Sequence, residues 1–185
     1  MPIKDTPIKH IRINVQDFEK RRKTVTNTVL RPILCSTTLQ AKFFQTSDDR
    51  TRVITIDEFQ ETELRETRFS TYSQNFIASY YEIWKQVEST KEYELEKMYF
   101  HLYDSDDNEY ILLHCDPNDT DETHHNYKRS PHLHIEKTSE TLIKKAHLAL
   151  NITDYDAIFE NIDTLTTAFA KHILMLKDQI IDSQK

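Results

Sequence analysis

Residues 97–115 read KMYFHLYDSDDNEYILLHC and residues 131–136 read PHLHIE. Lys97–Tyr103 alternates and is rich in aromatics, as strands are. Asp104 to Glu109 is a polar turn, and Tyr110–Cys115 returns as a second strand. After a loop rich in Asp, Asn, Thr and His, Pro131 introduces a short strand over His132–Lys137. A further extended piece lies within Glu140–Leu150, near His147. The middle of the chain therefore predicts an antiparallel sheet.

On the amino-terminal side, Ile11–Val15 and Arg52–Ile56 also alternate and predict strands. Val29–Leu34 is apolar but broken by Pro32, which predicts an edge or irregular strand. From Glu58 to Ser89 the pattern turns helical, with Phe76, Ile77, Tyr80, Tyr81, Trp84 and Val87 at spacings of three and four. The carboxyl end predicts a helix over 153–182. Thr153 stands as its N-cap, Asp154 and Asp156 lie in its first turn, and a stripe runs from Tyr155 through Phe169 to Ile180. The expected fold class is α+β, an antiparallel sheet with one or two long helices packed on one face.

A length of 185 residues fits a single domain. Its expected parts are a basic segment 1–31, a histidine-rich region 97–150 and the terminal helix. Nine Phe, nine Tyr and one Trp supply a core and exclude a disordered chain. Two cysteines, Cys35 and Cys115, make no CxxC pair and read as small buried thiols. The amino terminus lacks the apolar run of a signal peptide, and no stretch approaches a membrane span, so the expected location is cytoplasmic, with no membrane partner. The net charge of −7 is uneven: residues 1–31 carry eight Lys/Arg against three acids, leaving −12 for the remainder. A basic arm can touch phosphate or an acidic partner, while the acidic body argues against broad nonspecific nucleic-acid binding.

The chain contains no glycine, where average usage of about 7% would give roughly thirteen. Phosphate-wrapping loops, dinucleotide fingerprints and nucleophile elbows all need glycine and are excluded. Positive-φ positions must fall to other residues, with Asp106, Asp107, Asn108 and Asn118 as the expected sites.

Seven of the nine histidines lie between His101 and His147. On a strand, His132, His134 and Glu136 project from one face at steps of roughly 6.5 Å. Two imidazoles and a carboxylate so placed suit a divalent transition metal. They equally suit a general acid and base acting on a phosphate, or a hydrogen-bonded contact face. His147 is placed to approach from the neighbouring strand, and Asp116 and the His124-His125 pair precede it on the loop. Tyr127, Lys128 and Arg129 stand next to the strand as substrate-binding residues for phosphate. Arg129 and His134 also form the R-x4-H spacing of helical HEPN ribonucleases. Pro131 lies inside it, and proline breaks a helix, so that reading is rejected. The acidic turn 104–109 lacks the glycine and terminal glutamate of a calcium loop.

The order of segments over Tyr99–His134 is an aromatic-His strand, acidic turn, apolar strand, Asp116, the His124-His125 pair and Pro131-His132-Leu133-His134. That order resembles the TumE-type family of small bacterial toxins from two-gene toxin–antitoxin systems. The resemblance lies in the carboxyl half and implies a toxin with a cognate antitoxin. Two functions follow as expectations. One is a toxin or phage-defence effector acting on nucleic acid, with His132 and His134 as acid/base or ligand residues and His147 and Asp116 in support. The other is a non-catalytic interaction subunit of a defence or toxin–antitoxin complex, using the basic arm and the carboxyl-terminal helix as contact surfaces.

Overall fold

The structure is a computed structural model. It describes residues 10–56, 68–73, 75–104, 109–118, 131–135, 146–149 and 160–182, with the backbone course alone at 109–110 and 146–149. Among these residues nine strands form one antiparallel sheet. They are β1 (Arg12–Asn14), β2 (Lys42–Gln45), β3 (Thr51–Thr55), β4 (Arg68–Ser70), β5 (Phe76–Gln86), β6 (Glu92–Asp104), β7 (Glu109–Cys115), β8 (His132–Ile135) and β9 (Ala146–Ala149). The order is β2-β3-β5-β6-β7-β8-β9, with β1 beside β6 and β4 beside β5. The long β5–β6 hairpin is the spine. The first part of β6 pairs with β1, and its second part pairs with β7.

Two helices cover one face of this sheet. Helix α1 (Phe18–Thr24) continues through wider π-type turns over Val25–Leu30, and α2 (Ile162–Leu176) does the same over Lys177–Ile181. The expected α+β class is what the structure has. Along β5, Ala78, Tyr80, Glu82 and Trp84 alternate onto the helix side, opposite Leu102, Phe100, Met98 and Leu95 of β6. Phe18 meets Trp84 and Tyr93 edge-on at 5.9 and 5.1 Å, and Phe169 meets Tyr80 at 6.2 Å. These residues belong to one buried cluster with Val25, Leu30, Leu113, Leu133, Leu165 and Ile173.

An ionic knot lies inside that apolar layer. Arg21 reaches from α1 to both carboxylate oxygens of Glu82, which also accepts from the Tyr80 hydroxyl and, at 2.8 Å, from Trp84 Nε1. Arg21 Nη1 donates to Thr166 of α2 at 2.5 Å. Glu82 is 0% exposed and Arg21 4%. The knot thus ties both helices to the middle of β5. Burial, reinforced by the Glu82 charge, raises the Tyr80 phenol well above its usual pKa, so it stays a donor.

Five expectations need correction. Phe76–Gln86 is a strand, not a helix. Both of its faces are largely buried, so apolar residues fill inward and outward positions alike and erase the alternation that marks a strand. Residues 18–30 are helical, so Val29–Leu34, expected as an edge or irregular strand, instead closes that helix and turns, with Leu34 in an isolated bridge to Thr71. Arg21 occupies a core-facing position between Phe18 and Val25, so the apolar stripe is interrupted by a charge whose partner lies 61 residues away. Helix α2 begins after Asn161, so the expected run over 153–182 is not one helix; Thr153, Asp154 and Asp156 lie outside the described residues. Asn161 is extended at φ −160°, and its side chain accepts from the amides of Asp163 and Thr164 while the Thr164 hydroxyl accepts from the Asn161 amide, a reciprocal capping box. The positive-φ positions among the described residues are Asp49 and Ser89, at 54° and 58°, and not Asn118; 106–108 fall outside the described residues. Cys115 is buried as expected, but Cys35 is exposed. Among the described residues, no helix is long and apolar enough to cross a membrane.

Candidate metal centre on the histidine face of the sheet

The face of the sheet away from the helices carries a band of rings. Register alone builds it. Tyr99 on β6 pairs with His114 on β7, and His114 pairs with His132 on β8. Directly opposed residues in an antiparallel pair share a face. His134 lies two positions beyond His132 and therefore on the same face. Ring centroids separate His114 from His132 by 4.0 Å, His114 from His134 by 4.6 Å and His132 from His134 by 5.0 Å.

The three imidazoles converge. One nitrogen from each of His114, His132 and His134 lies within 4.8 Å of the others. His114 Nε2 is 2.7 Å from His134 Nε2, a hydrogen-bond distance. On its other side, His114 Nδ1 is 3.0 Å from Asp116 Oδ2, and the Tyr99 hydroxyl donates to the same oxygen at 3.1 Å. Tyr99 also stacks on His114 at 4.6 Å and on Tyr81 at 5.0 Å. His132 is 0% exposed and His114 5%, so the centre is set into the protein. Burial first, then the Asp116 charge, raises the Tyr99 pKa well above its usual value.

Three imidazoles make a borderline-soft nitrogen set, suited to zinc, copper, nickel or cobalt rather than magnesium or calcium. Tetrahedral zinc with Zn–N near 2.0–2.1 Å needs its nitrogens roughly 3.3 Å apart. His114 and His134 would therefore open slightly from their mutual hydrogen bond to take an ion. Cys115 supplies no ligand here. It pairs with Met98, on the helix-side rows, and burial pushes its thiol pKa well up.

The structure brings His132 and His134 together, as their alternation implies, and places Asp116 at the centre through His114. His147 stands in register opposite His134 on β9. Tyr127, Lys128, Arg129 and Glu136 lie outside the described residues, as do His124 and His125. The R-x4-H reading stays excluded, because His134 is on a strand. Among described residues, the third converging group is His114; the expected Glu136 lies outside them. His114 and Tyr99 were not singled out by sequence reasoning. A signal was present in His114-Cys115-Asp116, where spacing by two puts imidazole and carboxylate on one side of the chain, but only cross-strand register ties it to His132.

The chain matches no protein-family model, no curated protein and no solved structure.

Proposed function

We propose that this protein is a metal-dependent hydrolase of nucleic-acid phosphodiester bonds, acting in the bacterial cytoplasm as a small toxin or phage-defence effector. The observation that carries this reading is the convergence of His114, His132 and His134 within 4.8 Å, with Asp116 bonded to the rear nitrogen of His114. Three neutral ligands leave a divalent ion its full charge and a free position for water. Such an ion would lower the pKa of a water and stabilise charge on a phosphoryl oxygen. In hydrolysis the water oxygen bonds to phosphorus, the ester P–O bond breaks, and the departing oxygen takes the proton that the water gives up. Tyr127, Lys128 and Arg129 precede the strand in sequence and would hold phosphate.

The test is cleavage of RNA and single-stranded DNA by the purified full chain loaded with zinc, manganese or nickel. Cleavage lost in His132→Ala and His134→Ala, together with loss of toxicity on expression, is the expected result. Failure to cut either polymer with any of these metals decides against the hydrolase.

A second reading is favoured by the depth of the imidazoles. With His132 fully buried, a bound ion could staple β7 to β8 in a non-catalytic interaction subunit. That protein would bind metal and gain thermal stability from it without hydrolysing anything, and it would co-purify with a partner encoded beside it.

A further inference from the structure

The two hydrogen bonds of His114 fix more than its position. Asp116 Oδ2 acts as an acceptor, since the Tyr99 hydroxyl donates to it, so the proton of the His114 contact sits on His114 Nδ1. In a neutral ring His114 Nε2 then holds a lone pair. That atom faces His134 Nε2 at 2.7 Å. Two lone pairs at this distance repel, so the proton between them belongs to His134. The two rings are therefore unequal. His114 already presents a free pair to an ion, whereas His134 presents a proton.

We infer that Asp116, held by Tyr99, is the positioning residue of the metal centre: it fixes His114 as the preformed ligand and leaves His134 as the ligand that must reorient when the ion enters. This rests on the metal-centre reading above. A second observation supports it. Among the described residues Asp116 Oδ1 is buried with no hydrogen-bond partner, and a carboxylate left in that state is costly unless a positive charge lies close. An ion on His114 Nε2 supplies that charge through the ring. Tyr99 completes the device, since its hydroxyl donates to Asp116 while its ring stacks on His114. Carboxylates behind ligating histidines are worth about 10–100-fold in metal affinity.

Two measurements on the full-length chain test this. The first is long-range nitrogen–proton NMR of the metal-free protein, which reads the tautomer of each ring. The expected spectrum shows His114 protonated on Nδ1 alone and His134 protonated on Nε2. A His114 protonated on Nε2, or on both nitrogens, overturns the inference without any variant. The second is cobalt titration followed by the visible ligand-field bands. Asp116→Asn should weaken cobalt by about 10–100-fold and shift those bands, with Tyr99→Phe changing both in the same direction by less. Equal affinity and an unchanged spectrum in Asp116→Asn overturn the positioning role. A wild type that takes up no cobalt overturns the metal centre and this inference together. Tight uptake without nucleic-acid cleavage overturns only the hydrolase and leaves the positioning role supported.

Discussion

Glu82→Ala is the most informative perturbation of the fold. The carboxylate is 0% exposed and accepts from Arg21 Nε, Arg21 Nη2, Tyr80 and Trp84. Removing it leaves the Arg21 guanidinium in the core with Thr166, at 2.5 Å, as its remaining side-chain partner among the described residues. Breaking a buried pair by deleting one member costs about 3–5 kcal/mol. The stranded Tyr80 and Trp84 donors add to this, though not additively. Against a total stability of roughly 5–15 kcal/mol, the loss is a large share of the whole. With a urea slope near 2 kcal/mol per molar, a loss of about 4 kcal/mol moves the unfolding midpoint down by roughly 2 M. The assay is equilibrium urea denaturation followed by Trp84 fluorescence and far-UV circular dichroism. Arg21→Met combined with Glu82→Leu removes both charges and should be less damaging than Glu82→Ala alone. A cost below about 1 kcal/mol for Glu82→Ala would refute the reasoning, as would a double variant as unstable as the two single losses combined.

Two further outcomes follow from the backbone and the surface. Ser89 sits at φ 58° in the β5–β6 turn, where a side chain costs about 1–2 kcal/mol and glycine returns part of that as chain entropy. Ser89→Gly should therefore raise the melting temperature, and a lowered one would show that the Ser89 side chain, not the backbone strain, governs the turn. Asp48 accepts from the Thr46 and Thr51 hydroxyls and from the amides of Arg50 and Thr51, which hold its carboxyl well below the usual range. A depressed pKa means that this contribution is complete above the unfolded value of about 3.9 and is lost as pH falls through the folded one. Carboxyl NMR should show Asp48 still ionised when ordinary aspartates have titrated, and Thr51→Val should bring it back toward them; no difference between the two proteins would contradict this account of the turn.

The alternating segments determined their own structure. Arg52–Ile56, Lys97–Tyr103, Tyr110–Cys115 and His132–Lys137 each carry the strand period locally, and each lies on or overlaps a strand of the sheet. His132 and His134 share a face for the same reason, since a period of two needs no partner to be read. The lack of glycine likewise removed the phosphate-loop and elbow chemistries from consideration before any fold was known. Tertiary structure decided the rest. β5 looked helical because burial on both faces hides its period, and α1 was obscured because a charged residue, Arg21, fills a core position. Its partner Glu82 stands 61 residues away, and no local pattern carries that separation. The same holds for the candidate centre. His114 joins His132 and His134 only because β7 and β8 pair in a register that sets His114 opposite His132. A shift of one residue would turn His114 to the helix side, and alternation along one strand cannot fix how two strands align.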